Sequence, residues 1–323
     1  MTQTPLPGYV PLAEVVRSGM REGVHYGAVV GLSPEGEISY ARGPVHDPMF
    51  PRSSAKPFQA LAMLRAGARL EGTSLAISAG SHNGEDFHLA EAERILADAG
   101  LSADDLRCPA DLPGGRAARA AFLAEGRSAS PLYMNCSGKH AGMLAACVAR
   151  GWSTEDYLDP EHPFQLLVRE ATEDMCGERI AHTAVDGCGA PQLAVSLVGL
   201  ARGLQSMRLS LEGSQERSVP EAMSAHPEYV AGTDRIDTEL MRRMPGLVSK
   251  IGADGVLVLS APDGRTVAVK ISDGDAELRA RTLVGVTALE ALGLDISPIA
   301  DRLTTDMAAA SRPAVSPSTT KET

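Results

Sequence analysis

Two hairpin signals lie far apart in this 323-residue chain, and together they constrain its fold more than anything between them. Near the N-terminus, strand-like runs at 25–32 and 37–41 flank the turn formers Ser33-Pro34-Glu35-Gly36. Near the C-terminus, runs at 255–260 and 266–271 flank Pro262-Asp263-Gly264-Arg265. From Leu61 to about Leu211 the pattern is mostly helical, broken by Gly and Pro clusters such as Leu112-Pro113-Gly114-Gly115. Distant hairpins of this kind can pair into one antiparallel sheet with the helical middle packed beside it, which predicts an α+β fold. We expect one domain over residues 1–307, including a helix from about Asp275 to Leu292 stopped by Gly293. Residues 308–323, made largely of Ala, Ser, Thr and Pro, read as a flexible tail with little to bury.

The chemistry begins at Arg52-Ser53-Ser54-Ala55-Lys56-Pro57. Pro57 has no backbone donor, which suits only a first helical turn, so a helix must open near Ser53 to Ser54. Ser53 and Lys56, three residues apart, then share one face and can touch. A neutral lysine held against a serine hydroxyl can take its proton and make it a nucleophile. For a base poised at about 7 to 8, Lys56 needs its pKa depressed by about 3 units, or about 4 kcal/mol. A second cation would help supply this, and Lys270, at the end of the last strand-like run, is the candidate; alone it would read as a solvated edge lysine. Ser81, in Ser78-Ala79-Gly80-Ser81-His82-Asn83-Gly84, follows a buried-strand-like run at 75–78 and could relay protons. The plainer readings are an N-cap for Ser53 and a cap or turn residue for Ser81.

A net charge of -11 argues against a nucleic-acid backbone or an anionic membrane surface as partner. No apolar run is long enough to cross a bilayer, and 1–5 shows neither the basic start nor the apolar stretch of a secretory signal. Five cysteines, an odd and sparse set, suggest a reducing cytoplasm rather than a disulfide framework. Two of them belong to a separate constellation: Asn135-Cys136-Ser137-Gly138-Lys139-His140, and Asp186-Gly187-Cys188-Gly189-Ala190-Pro191 some fifty residues on. Two thiols with a histidine, a lysine and an aspartate nearby can hold a cation such as zinc, although buried thiols that only fill space fit the same residues. Cys108, Cys147 and Cys176 read as core.

These blocks, with His226-Pro227-Glu228-Tyr229-Val230-Ala231-Gly232 and Val269-Lys270-Ile271-Ser272-Asp273-Gly274, occur in an order that resembles the L-asparaginase II family, of the rhizobial or class 3 type. The resemblance runs from about Val10 to Leu294, and Asn-Cys-Ser-Gly-Lys-His is its most specific block. It implies a serine β-lactamase-like or glutaminase-like fold, a homodimer, and hydrolysis of L-asparagine to L-aspartate and ammonia. Carried over by position, Ser53 with Lys56 would be one Ser-Lys pair and Ser81 with Lys270 the second. It further implies a zinc ion on Cys136, Lys139 and Cys188, with Asp186 and His140 lining the substrate pocket. The Gly232-Thr233-Asp234-Arg235 block and the turn at Cys188-Gly189-Ala190-Pro191 depart from the family pattern in detail, which touches the shape of the amino-acid pocket.

On this reading Ser53 attacks the side-chain amide carbon, Lys56 takes its proton, and Ser81 passes one to departing ammonia. Backbone N–H groups at the helix mouth receive the oxyanion. Arg52 and Asp186 hold the charged ends of the amino acid, and zinc anchors substrate and loops rather than activating water. Three other readings use the same residues: a glutaminase or other small-amide hydrolase, a zinc-centred amidohydrolase with no covalent intermediate, and a non-enzymatic zinc or amino-acid binding protein.

Overall fold

The computed structural model describes residues 8–276, 278–300 and 314–317. The chain opens with strands β1 (Val10–Arg17), β2 (Met20–Leu32), β3 (Ile38–Arg42) and the short β4 (Pro48–Met49). A 3-10 turn, Arg52–Ala55, runs directly into helix α1 (Lys56–Arg65). The helical middle follows as α2 (Gly72–Ser78), α3 (Asp86–Asp98), α4 (Arg116–Ala124), α5 (Ser137–Arg150) and α6 (Pro163–Cys176). A small hairpin, β5 (His182–Val185) and β6 (Pro191–Ser196), precedes α7 (Leu197–Leu209), α8 (Gln215–Ala225), α9 (Pro227–Val230) and α10 (Ile236–Arg243). The last elements are β7 (Val248–Ile251), β8 (Val256–Ser260), β9 (Thr266–Ile271), α11 (Arg281–Ala291) and β10 (Ala314–Pro317).

Both expected hairpins form, and they join: β2 pairs antiparallel with β9 from Gly27↔Ile271 to Leu32↔Thr266. The resulting seven-stranded sheet runs β10-β1-β2-β9-β8-β7, with β3 also on β2. Period-two alternation gives the sheet two apolar faces. Val29, Leu257, Leu259, Val267, Val269 and Ile271 pack toward α11, while Ala28, Val30, Val256, Val258 and Ala268 join the core of the helical lobe. In that lobe Phe58, Leu61 and Met63 of α1 pack among residues of α5, α6 and α7. The fold is α+β, with its helices concentrated on one face of an antiparallel sheet.

Several elements differ from the sequence reading. Residues 75–78, expected as a strand, are the end of α2. Four apolar residues in a row fit a buried helix as well as a buried strand, and length decides between them. The helix expected from Asp275 begins at Arg281 instead. The buried Asp275 carboxylate accepts from the backbone N–H groups of Arg279, Ala280 and Arg281 at 2.8, 2.9 and 3.0 Å, capping from outside the helix. Within the expected tail, Ala314–Pro317 form a strand antiparallel to β1, and its other residues lie outside the described set. No helix among the described residues is long and apolar enough to cross a membrane.

Candidate active site

Lys56 is the centre of the candidate site because of where the chain turns. Pro57 occupies the first turn of α1, as its missing donor requires, and the 3-10 turn before it places Ser53 one short turn ahead of Lys56. Positions i and i+3 of such a turn eclipse, so the two residues project to the same side. Arg52 enters the turn with a φ of 53°, a left-handed conformation rare for any side chain but glycine and typical of sites that aim a residue. Neither serine is an N-cap: α1 is entered through Ala55, and the helix after Ser81 through Glu85.

The lysine reaches Ser81, not Ser53. Lys56 is 2% exposed, and its Nζ donates to the Gly80 carbonyl and lies 2.9 Å from Ser81 Oγ. Burial pushes its amine below the ordinary lysine value, Cys136 opposes that, and the Lys139 charge adds to it. Among the described residues the Ser53 hydroxyl and backbone N–H take no hydrogen-bond partner, leaving both free at the mouth of the turn. Ser81 is fixed by its backbone N–H, bonded at 2.6 Å to the Val230 carbonyl. Gly80 allows this approach: a Cβ there would stand 2.7 Å from the Tyr229 carbonyl oxygen and 2.8 Å from that of Val230. His82 then ties the segment to α5, with the Gly84 N–H on Nδ1 at 3.1 Å and Ser137 Oγ 3.0 Å from Nε2.

Lys270 makes no hydrogen bond with Lys56 or Ser81, but it lies beside Arg52 of the 3-10 turn, since both side chains bond Asp254. On β9 it lies two strands in from β7, whereas β7 and β8 are the strands that meet the 3-10 turn. Its Nζ donates to the Asp254 carbonyl. Burial lowers its pKa, and the charges acting on it are Asp254, Arg52, Arg281 and Asp273. A further buried amine, beyond Lys139, is Lys250 on β7, which the sequence reading passed over. It is fully buried, Nζ donates at 2.7 Å to the Ile251 carbonyl, and its pKa falls to about 7, through burial first and then the Lys56 charge. The Ser54 hydroxyl bonds the Lys250 carbonyl at 2.9 Å, fastening β7 to the turn that carries Ser53.

A sulfur cluster adjoins the lysine. Gly138 lets α5 press onto α2, where a Cβ would lie 2.6 Å from Ile77 Cγ1, and this close packing brings the start of α5 against the Lys56 layer. Cys136 and Cys188 are 3% and 1% exposed, and Lys139 Nζ lies 3.0 Å from Cys188 Sγ. The two thiols share a hydrogen bond that holds Cys136 well below the usual thiol range and raises Cys188, with Lys56 and Lys139 reinforcing the Cys136 thiolate. Burial alone would lower Lys139, but the sulfur charges of Cys188 and Cys136 push it up to about 12. Among the described residues no group of three or more His, Cys, Asp and Glu side chains comes together to hold a metal. The donor set here is two thiols and one amine, so a zinc ion would need Lys139 as its third ligand in neutral form. With Lys139 Nζ 3.0 Å from Cys188 Sγ and the Cys136 thiol interacting electrostatically with both, the three side chains fit that role chemically.

Arg52 and Asp186 meet beside the cluster. Arg52 Nε and Nη2 lie 2.9 and 2.8 Å from Asp186 Oδ1, its Nη1 bonds the Asp254 carboxylate, and Asp186 Oδ2 lies 3.9 Å from Cys188 Sγ. His140, expected to line the substrate pocket, is fully buried behind Cys188, with Nδ1 2.7 Å from the Tyr157 hydroxyl. Burial lowers its pKa to about 4. A surface groove of about 640 Å³ bordered by Arg69, Arg94 and Val148 lies elsewhere, while Ser53, Ser81, Arg52 and Lys270 are half-buried around the buried Lys56.

The family model for L-asparaginase II matches residues 13–316. No curated protein matches the chain. Among solved structures, a β-lactamase from Mycobacterium bovis is 14% identical with a TM-score of 0.44, the match covering 83% of this chain and 94% of that one. A putative β-lactamase from Bacteroides dorei is 13% identical with a TM-score of 0.46, over 83% and 93% of the two chains. Mglu in its glutamate form is 14% identical with a TM-score of 0.46, over 87% of this chain and 60% of that longer one.

Proposed function

Because the chain belongs to the L-asparaginase II family, an amidohydrolase family, we propose that it hydrolyses L-asparagine to L-aspartate and ammonia through a serine nucleophile. The observation that carries the mechanism is Lys56: a buried amine, held low by its surroundings, 2.9 Å from the Ser81 hydroxyl and one short turn from the free Ser53 hydroxyl.

Ser53 attacks the side-chain amide carbon, and Lys56 takes its proton as the new C–O bond forms. The unpaired Ser53 N–H faces the developing oxyanion, and the N–H of Ala253, also without a partner and next to the Gly252 that packs on Pro51, supplies a second donor. Ser81, already bonded to Lys56, passes the proton to the amide nitrogen, so ammonia leaves and an aspartyl ester remains on Ser53. Water, deprotonated along the same path in reverse, releases aspartate. Lys250 is a further buried amine whose charge, with that of Lys139, disfavours a proton on Lys56, while Lys270 stands beside Arg52 at the edge of the site. The substrate's α-carboxylate meets Arg52 and its α-ammonium meets Asp186, each group exchanging its present partner for a substrate end.

Cys136, Lys139 and Cys188 would hold zinc, which when bound supplies a fixed positive charge beside Asp186. The reading extends to a homodimer, on the family resemblance, and to a reducing compartment, supported by five buried cysteines that are all unpaired. A coupled ammonia-release assay on asparagine and on glutamine, with and without a zinc chelator, tests the proposal. Faster turnover of asparagine, lost in Ser53→Ala, supports it; glutamine preferred over asparagine, or full activity in Ser53→Ala, overturns it.

A further inference from the structure

Tyr157 lies on the 151–162 segment that follows α5, fully buried, with no part in the proton transfers above. Its position is tightly set, since the Gln165 side-chain amide donates to its carbonyl at 2.7 Å. The phenol oxygen accepts the Arg107 backbone N–H at 3.1 Å and lies 2.7 Å from His140 Nδ1, with the two rings edge to face at 5.7 Å. On its other side the imidazole turns toward Cys188, and Nε2 is buried with no hydrogen-bond partner among the described residues.

Two proton placements are possible for a neutral ring. If Nδ1 carried the hydrogen and gave it to the phenol, the phenol's own hydrogen would have no acceptor in the interior and Nε2 would be a bare lone pair facing sulfur. If the phenol donates to Nδ1, its hydrogen is used, Arg107 fills its acceptor side, and one group, Nε2–H, is left unpartnered instead of two. We infer that Tyr157 is a positioning residue that locks His140 in its Nε2–H tautomer, so that the ring turns a donor toward the Cys188 side of the cluster, where Cys188 Sγ already takes Lys139 Nζ at 3.0 Å. This rests on the sulfur cluster proposed above as a zinc site, but the proton placement itself needs no metal. Outer partners of this kind orient a ligand before the ion arrives.

The test is long-range nitrogen–proton correlation NMR on protein with ¹⁵N-labelled histidine, freed of metal, with His140 identified by its loss in His140→Gln. The expected spectrum shows His140 Nε2 protonated and Nδ1 bare in the native chain, and a mixed or inverted pattern in Tyr157→Phe. Zinc affinity, read by competition with a chromophoric chelator, should fall about ten-fold in Tyr157→Phe. A native spectrum with the proton on Nδ1 overturns the inference whether or not Tyr157→Phe folds. An unchanged tautomer in Tyr157→Phe also overturns it. Absence of zinc binding to the native chain would refute the metal site alone and leave the NMR result to decide this one.

Discussion

Replacing Lys250 with methionine should make the protein more stable at neutral pH and less stable in strong alkali. Lys250 is fully buried, and its pKa falls from 10.5 to about 7. That is a depression of about 3.5 units, and at about 1.4 kcal/mol per unit it is worth about 5 kcal/mol against the charged form. The sign follows from proton counts. Between pH 7 and 10.5 the unfolded chain holds a proton there that the native chain lacks, so native stability rises with pH through this window and the penalty is full only below pH 7. Methionine keeps the length of the side chain and removes the penalty, but it also removes the 2.7 Å bond to the Ile251 carbonyl, which costs about 1 to 2 kcal/mol. The net gain is about 3 kcal/mol at pH 7 or below, shrinks to about 1 kcal/mol near pH 8.5, and reverses between about pH 9 and 10. Urea titrations of both proteins at several pH values read it directly, at matched slopes. A stability difference that stays flat with pH, or a variant destabilised at pH 7, would show that Lys250 titrates as an ordinary surface lysine.

Gly80→Ala should lower stability by about 1 to 3 kcal/mol, because its Cβ would fall 2.7 Å from the Tyr229 carbonyl and displace Ser81 from Lys56. An unchanged melting temperature with full activity would mean the backbone can yield there. The pH profile of kcat/KM should show an acid limb that titrates below the ordinary lysine value of 10.5, since Lys56 must be neutral to act and burial lowers it. A limb at or above that value would mean that Lys56 is charged in the working enzyme. Cys188→Ser should cut zinc content from about one ion per chain to near zero, measured by atomic emission on purified protein. Full retention would exclude Cys136, Lys139 and Cys188 as the ligand set.

What could be read from the sequence was whatever depends on local pattern. The two hairpins, their pairing and the helix opened by Pro57 follow from alternation and turn chemistry, which act over a few residues. Beyond the joining of the two hairpins, side-chain contacts between distant segments were legible only where a motif named both partners, as with Cys136 and Cys188. Lys250 left no signal because its neighbours Val248, Ser249 and Ile251 make an ordinary short strand, and only the strand order places its amine beside Lys56. Lys270 stood out for the opposite reason. It nearly ends a clear strand and precedes Ser272-Asp273-Gly274, but spacing along a chain does not show that its amine meets Asp254 and Arg52 rather than Lys56. The Ser53–Lys56 contact was expected from helical spacing and is replaced by Lys56–Ser81, since Gly80 lets that loop come closer to the amine than Ser53 does in its present rotamer. Tyr157 could not have been found from sequence, because one tyrosine in a Gly- and Asp-bearing loop carries no pattern.

The central claim is that a serine oxygen opens the amide, and acid-quenched rapid mixing of enzyme with asparagine, followed by peptide mass spectrometry, tests it most directly. The account predicts an aspartyl ester on the peptide that contains Ser53, appearing with the first burst of ammonia and absent from Ser53→Ala. Ammonia release in a single turnover with no ester on any serine, or an ester confined to Ser81, would contradict it.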